Sequence, residues 1–296
     1  MFLDLPATLD KVDALVAEAA GGGASLVVFP EAFVPTYPDW VWRTPAWSEA
    51  ASDLQQRLHE NAVELPGPAA DRLGDIAARH GVLLVVGVNE REGGTLYNTI
   101  AYLSSDGELL GRHRKLVPTG GERLVWGAGD GSGLTVHDTP LGRVGGLICW
   151  ENYMPLARAA LYAGGVEIYL APTWDNSSVW VPTLRHIAKE GRTFVIGVNC
   201  VLRGSDVPEA VPHRAELYGG DDDWMSRGNT AIVDPFGDLL AGPLVEEAGI
   251  LFADLDLALI DRARAQFDVV GHYARPDVLA LRVDTTERPA GGVSSA

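Results

Sequence analysis

Cysteine and basic residues are scarce in this sequence of 296 residues. Only two cysteines occur, Cys149 and Cys200, which excludes a disulfide framework and leaves each thiol to be explained by itself. The 23 lysines and arginines are outnumbered by 40 acidic residues, so the formal net charge is -17. Such a charge repels phosphate backbones and anionic lipid surfaces, and we therefore expect neither nucleic acid nor a membrane as a partner.

Long apolar runs are also missing. No stretch approaches the roughly 18 residues that a membrane span needs, and the first segment, MFLDLPATLDKV, has neither the basic region nor the apolar stretch of a signal peptide. We therefore predict a cytoplasmic protein. The seven histidines show no paired metal-ligand spacing, so we expect no metal and no cofactor.

Short aliphatic and β-branched runs alternate with amphipathic stretches along the chain, and this rhythm predicts an α/β fold. The runs that predict strands are 25–29, 82–88, 97–103, 144–149, 166–172, 193–199, 230–234 and 249–255. Between them, Thr8 is expected to cap a helix that stops at Gly21, and 71–80 and 152–163 predict further helices. The polar, irregular segment 202–225 predicts a long surface loop.

Cys149 ends one predicted strand and is followed by Trp150 and a helix-like stretch, so its sulfur would lie at a strand-to-helix elbow. Helix N-termini stabilise thiolates. A backbone N–H just beyond such an elbow can also face the charge that develops on a substrate bound to the sulfur. The alternative is a buried cysteine that acts as a small hydrophobe. Local context leaves both interpretations open.

Two charged residues, Glu31 and Lys115, each follow a probable strand, and a third, Glu122, lies seven residues beyond Lys115. Glu31 directly follows SLVVFP, where it can act as a general base towards a thiol or serve as a helix cap or loop residue. Lys115 in HRKLVPT can stabilise negative charge on a reacting atom or form a surface salt bridge. Glu122 in GGERLVWG can orient the lysine or relay protons, or it can pair with Arg123 or Arg114.

A carboxylate, a lysine and a cysteine that each follow a separate strand form a geometric pattern, because strand ends in one sheet converge on one crevice. FPEAF around Glu31, HRKLVPT around Lys115 and CWEN around Cys149 resemble the nitrilase superfamily over nearly the whole chain. The resemblance implies a Glu-Lys-Cys triad on a four-layer α-β-β-α sandwich. The segments FPEAFVPTYPDWVW, PTGGERLVWG, CWENYMPLAR, APTWD, HIAKEGRTFVIGVN and DVVGHYARPDV resemble the nitrilase branch rather than the amidase or carbamoylase branches.

The resemblance also implies a role for each site residue. The nucleophile is Cys149, the general base is Glu31, the stabiliser of the tetrahedral intermediate is Lys115, and the auxiliary fourth residue is Glu122. The residues expected to bind the substrate are Trp150, Trp174 and Tyr37. The implied reaction is the cofactor-free hydrolysis of an organic nitrile to a carboxylic acid and ammonia. An amidase or carbamoylase with the same triad is the nearest alternative, and a non-catalytic binding protein is the second.

Domain limits and assembly follow from the same resemblance. It assigns 1–275 to the hydrolase domain, and the sequence from Pro276 onward predicts an extended C-terminal tail, 276–296, that is flexible or takes part in an interface. Family members usually begin with a β-strand before the segment FLDLPATLDK, so the first strand is expected to be missing here unless the true start lies upstream. A missing strand leaves buried polar groups unpaired at roughly 1–3 kcal/mol each. Dimers or larger spiral assemblies are implied, with contacts through 202–225 and the tail.

Overall fold

The computed structural model describes residues 1–220 and 224–288. These residues form eleven β-strands and seven α-helices, and the chain divides into two compact units. Unit 1 comprises Met1–Gly133, Leu202–Met225 and Thr285–Ala296, and unit 2 comprises Leu134–Val201 and Ser226–Asp284. The end of the predicted tail, 289–296, and the acidic run 221–223 within the predicted loop lie outside the described residues.

The helices of unit 1 are α1 (Leu5–Gly21), α2 (Glu49–Glu60), α3 (Pro68–His80) and the short α6 (Arg214–Leu217). The carboxylate of Asp4 caps α1 by accepting the N–H of Ala7 at 3.0 Å. The prediction that Thr8 caps this helix is therefore wrong. Thr8 lies in the first turn, where its hydroxyl donates to the carbonyl of Asp4 at 2.6 Å.

The sheet of unit 1 has the order β1-β2-β3-β4. Its strands are β1 (Leu26–Val28), β2 (Leu83–Glu92), β3 (Thr95–Leu103) and β4 (Leu109–Arg114). β1 is parallel to β2, and the other neighbours are antiparallel. A two-residue turn joins β2 to β3 through Gly93, whose φ of 58° suits a hairpin of this length. Among the described residues α1 is the first element, and β1 is an outer strand of the sheet.

Unit 2 contains a second sheet, in the order β11-β10-β8-β7-β6-β5. Its strands are β5 (His137–Thr139), β6 (Gly142–Gly146), β7 (Ile168–Thr173), β8 (Phe194–Asn199), β10 (Trp224–Val233, from Ser226 onward) and β11 (Leu239–Val245). β6, β7 and β8 are parallel, whereas the outer pairings are antiparallel. The helices are α4 (Pro155–Ala163), α5 (Trp180–Gly191) and α7 (Ala258–Gln266). Leu161 of α4, Leu184 of α5 and Tyr169 of β7 are completely buried in one apolar core.

The predicted α/β class is confirmed, because each unit combines a sheet with helices. Every predicted strand overlaps an observed one except 249–255, which has no secondary structure. From residue 251 onward its residues alternate between partly buried and exposed, as in a strand, but an alternating pattern indicates half-burial and not strand pairing. The segment 202–225 contains the end of β9 (Val201–Arg203), a 3-10 turn at Gly204–Asp206 and α6. Over the described part of the chain, no helix has the length and hydropathy that a membrane crossing requires.

Candidate active site

Glu31 lies three residues after β1 and is completely buried. The chain passes so close to β2 here that a Cβ atom at Gly87 would collide with the carbonyl oxygen of Pro30 and lie 2.9 Å from Cα of Glu31. Only glycine fits at this position of β2. The next residue, Ala32, has a φ of 49° and turns the chain away again. The sequence thus folds a carboxylate into the interior by a tight turn against a neighbouring strand.

Lys115 directly follows β4, as predicted, and is 1% exposed. Its Nζ donates to Oε1 of Glu31 at 2.8 Å and to Oε2 of Glu122 at 2.8 Å. All three side chains are buried, with at most 2% of each exposed. Unit 1 therefore brings together three of the four residues that were predicted to be catalytic, with one ammonium between two carboxylates. For Lys115, the alternative of a surface salt bridge is wrong.

The backbone of Lys115 is fixed by a glycine-rich segment that packs on β4. Its carbonyl accepts the N–H of Gly129 at 2.8 Å. A Cβ atom at Gly129 would collide with the carbonyl of Arg114, so this position needs glycine for close packing. The glycine-rich run at Gly127–Gly133 thus supports the lysine backbone. Within the described ranges, no group of three or more His, Cys, Asp or Glu side chains is placed to hold a metal ion.

Glu122 lies on the 3-10 turn Gly120–Leu124 and accepts hydrogen bonds on both oxygens. Its Oε2 accepts the N–H of Thr119 at 2.6 Å, in addition to the lysine, and its Oε1 accepts the hydroxyl of Tyr37 at 2.7 Å. Tyr37 is 2% exposed, and its hydroxyl accepts the indole N–H of Trp42 at 3.2 Å. The tyrosine that was predicted to bind substrate thus contacts Glu122.

Glu31 is bonded less completely than Glu122. Its Oε1 accepts from Lys115 and from the side-chain amide of Asn98 at 2.7 Å, whereas no donor from the described residues contacts Oε2. Burial raises the pKa of Glu31, the positive charge of Lys115 lowers it, and the negative charge of Glu122 raises it again, so that the pKa lies above its usual value of 4.5. A buried carboxylate with a raised pKa and one unbonded oxygen is suited to accept and return a proton.

Cys149 follows β6 in unit 2 and begins the 3-10 helix Cys149–Tyr153. Its side chain is 4% exposed and its φ is 52°, in the left-handed region, which costs a non-glycine residue roughly 1–2 kcal/mol. The side-chain amide of Asn152 donates to the carbonyls of Cys149 at 2.8 Å and Leu147 at 3.0 Å. The hydroxyl of Tyr169 donates to Oδ1 of Asn152 at 2.7 Å. The N–H of Ile148 donates to Oε2 of the buried Glu151 at 2.8 Å. The predicted elbow is therefore a strained turn held by buried hydrogen bonds, from a side-chain amide and to a carboxylate.

The two tryptophans predicted to bind substrate lie at one edge of the unit 2 sheet. Trp174 directly follows β7 and is 9% exposed, and Cys149 follows β6, the parallel neighbour of β7. Trp150 is 53% exposed, and its indole N–H donates to Oδ2 of Asp175 at 3.0 Å. Tyr153 donates to the same oxygen at 3.1 Å. Asp175 thus ties the cysteine turn to the loop that begins at Trp174.

Sequence reasoning missed Asn98, Asn152 and Gly87. Asn98 is the amide in the otherwise mainly apolar run YNTIAYL and is 1% exposed. A buried amide needs hydrogen-bond partners, so a polar residue in such a strand was a usable signal. Gly87 interrupts VLLVVGV in the same way, and a glycine inside a strand often marks a close backbone approach.

The sequence of this chain is similar to those of known enzymes. The family model described as carbon-nitrogen hydrolase matches residues 1–265. The chain belongs to the carbon–nitrogen hydrolase family. The hydrolase is 47% identical over 291 residues to the bifunctional nitrilase/nitrile hydratase NIT4B of Nicotiana tabacum, covering 96% of this chain and 83% of the relative. It is 44% identical over 294 residues to Nitrilase 1 of Arabidopsis thaliana, covering 97% and 85%.

Solved structures share the fold of this hydrolase. The crystal structure of a carbon-nitrogen hydrolase from Helicobacter pylori G27 matches with a TM-score of 0.73 and 22% identity, over 93% of this chain and 91% of that one. The resemblance to the nitrilase branch is confirmed by the nitrilases among the curated relatives. The domain limit at residue 275 stays a prediction.

Proposed function

We propose that this carbon–nitrogen hydrolase is a nitrilase that converts an organic nitrile into its carboxylic acid and ammonia. The observation that carries the proposal is the buried cluster in which Lys115 Nζ lies 2.8 Å from both Glu31 and Glu122. Such a cluster supplies a proton acceptor and a fixed positive charge in a dry environment, which hydrolysis of a carbon–nitrogen bond requires. The names of relatives that are 44–47% identical support a nitrile as the substrate.

In the proposed reaction, Cys149 is the nucleophile. Its thiolate forms a bond to the nitrile carbon, the nitrogen takes up the proton that the thiol released to Glu31, and a thioimidate results. Glu31 then removes a proton from a water molecule that adds to the same carbon, and passes this proton to the nitrogen. Lys115 stabilises the negative charge of the tetrahedral intermediate, and Glu122 holds the lysine.

The fate of the tetrahedral intermediate sets the product. When the carbon–nitrogen bond breaks, the nitrogen leaves as ammonia and a thioester remains on Cys149. A second water, again deprotonated by Glu31, releases the carboxylic acid and restores the thiol. When the carbon–sulfur bond breaks instead, the product is the amide. The relative from Nicotiana tabacum is named as a bifunctional nitrilase/nitrile hydratase, and we therefore include the amide as a minor product to be measured.

We propose that Trp150, Trp174 and Tyr37 bind the substrate. We also propose a homo-oligomer, with contacts that involve the tail, because Val278 and Leu279 are 65% and 74% exposed. Sedimentation of the full chain and of a chain ending at Arg275 tests this. The same number of subunits in both would show that the tail is not part of the interface.

The location is proposed to be cytoplasmic, because both cysteines are thiols and disulfides prevail in oxidising compartments.

Ammonia release from a panel of aliphatic, aromatic and arylaliphatic nitriles tests the function, with the matching amides as parallel substrates. Cys149→Ala is the inactive variant, and Cys200→Ala is the matched control with its thiol outside the proposed chemistry. We expect ammonia from nitriles that depends on Cys149 and not on Cys200. Turnover of amides alone would move the protein to the amidases or carbamoylases. Absence of both activities, with iodoacetamide alkylating Cys149 no faster than Cys200, would leave a binding role.

A further inference from the structure

Asn98 holds two of the proposed catalytic residues at once. It lies on β3 and is 1% exposed. Its side-chain Nδ2 donates to Oε1 of Glu31 at 2.7 Å, and its main-chain carbonyl accepts the N–H of Lys115 at 2.8 Å. The next residue, Thr99, is equally buried, but its hydroxyl donates to Glu90 at 2.8 Å. Neighbouring positions of one strand therefore serve two separate polar groups.

We propose that Asn98 is a positioning residue of the hydrolase, which fixes the Glu31 carboxylate and the Lys115 backbone in one geometry. The inference rests on the proposed function, because it assigns Asn98 to the same proton-transfer step. Its side chain occupies Oε1 of Glu31 together with the lysine, so that Oε2 is the oxygen left to exchange the proton.

The chemistry of an amide suits this task. The cluster already contains two carboxylates and one ammonium, so its formal charge is negative when both carboxylates are ionised. A second cation beside Glu31 would hold that residue ionised and weaken it as a base, since an opposite charge favours the charged form. A neutral donor fixes the carboxylate without adding charge. Lys115 and Glu122 are the charged groups in unit 1 that act on Glu31.

The strand next to β3 reinforces the same turn. Asn98 is paired in register with Asn89 of β2. The side-chain amide of Asn89 donates to the carbonyls of Val34 at 3.2 Å and Thr36 at 2.8 Å. This pair of buried asparagines therefore holds Glu31 from one strand and the segment just after it from the other.

The test compares Asn98→Ala and Asn98→Asp with Thr99→Val, a control at the neighbouring buried position. Nitrile hydrolysis is measured as a function of pH. We expect both Asn98 variants to lose up to about 100-fold in kcat with little change in KM, because misplacing a catalytic group by about 1 Å has an effect of that size. The amide donor favours ionised Glu31, so its loss raises the pKa and moves the acidic limb of the profile to higher pH.

Asn98→Asp keeps the shape of the side chain, adds a like charge and should move the limb further than Asn98→Ala. Thr99→Val should leave the limb in place. An acidic limb that is identical in wild type and both Asn98 variants would overturn the proposal, as would an equal shift in Thr99→Val.

A second readout does not depend on activity. The Glu31 carboxyl is titrated by NMR in protein carrying 13C-labelled glutamate, and its signal is assigned by its loss in Glu31→Gln. We expect the Glu31 midpoint to rise in both Asn98 variants and to stay constant in Thr99→Val. An unchanged midpoint refutes the role of Asn98. Wild-type protein that fails to hydrolyse any nitrile refutes the proposed function, and this titration still decides whether Asn98 controls Glu31.

Discussion

Units 1 and 2 hold their proposed catalytic residues by different interactions. In unit 1, a buried cluster of ion pairs joins Lys115 to Glu31 and to Glu122. In unit 2, the turn at Cys149 is held by hydrogen bonds to its backbone, from the Asn152 amide and to the buried Glu151 carboxylate, around a residue in the left-handed region. The first arrangement joins charged side chains to one another, whereas the second joins side chains to the backbone of a turn. The proposed proton acceptor therefore depends mainly on the charges around it, and the proposed nucleophile on the backbone conformation that orients its side chain.

The largest effect is expected when the cation is removed from unit 1. Lys115→Met leaves two buried carboxylates without their ammonium and should lower the free energy of unfolding by about 3–5 kcal/mol, the usual loss when one partner of a buried ion pair is removed. Urea denaturation at neutral pH measures this loss. The control is Lys189→Met, at an exposed position of α5. Equal losses in the two variants would show that the buried cluster has no special stability.

The corresponding change in unit 2 removes the side chain of Asn152, which holds the turn at Cys149. Asn152→Ala removes the side chain that is hydrogen-bonded to the hydroxyl of Tyr169 and to two carbonyls. The free energy of unfolding should fall by about 1–3 kcal/mol, the usual cost of disrupting a buried hydrogen-bonded group. Tyr169→Phe should cost less, and the double variant should cost less than the sum, because the two residues share one hydrogen bond. Tyr153→Phe, whose residue is 38% exposed, is the control. If the losses in free energy of unfolding of the two single variants simply add in the double variant, Asn152 and Tyr169 do not act as a coupled pair.

The pH dependence of stability sharpens the contrast between the units. Because the pKa of Glu31 is raised in the folded protein above 4.5, the folded state binds more protons in the window from about 4.5 up to that raised pKa. The contribution of Glu31 to stability therefore falls as pH rises through this window, by up to about 1.4 kcal/mol per pH unit.

Glu31→Gln removes this contribution, so the variant should gain stability relative to wild type as pH increases. Urea denaturation at a series of pH values measures the difference. Asn152→Ala should give a difference from wild type that is independent of pH. If the difference in free energy of unfolding between Glu31→Gln and wild type did not change with pH, the raised pKa of Glu31 would be contradicted.

The smallest effect concerns the backbone at the elbow. Cys149→Gly should be more stable than Cys149→Ala by about 1 kcal/mol, because only glycine adopts the left-handed conformation without strain. At Cys200, which lacks a positive φ, the order should reverse, since glycine there loses more conformational freedom on folding than alanine. Thermal or urea unfolding of the four variants measures both differences. The same order at both positions would show that the turn at Cys149 is not strained.

Local patterns in the sequence predicted where strands and helices lie better than they predicted the residues at which these elements begin and end. The apolar runs located most strands, and Glu31 and Cys149 were found because they follow or end such runs. The wrong predictions have local causes as well. Thr8 and Asp4 are both good caps, and the helix uses the earlier one. Segment 249–255 has the alternation of a strand but no partner in a ladder among the described residues.

The sequence by itself determined the chemical types available, namely two thiols, an acidic surplus and a lysine that follows a strand. Only the tertiary structure decided which of these groups meet. Lys115 binds Glu31 across 84 residues, and Asn98 binds Glu31 across 67. Contacts over such separations depend on sheet register and on the path of every intervening turn. Those are fixed by cooperative packing of the whole unit and not by any local run of residues.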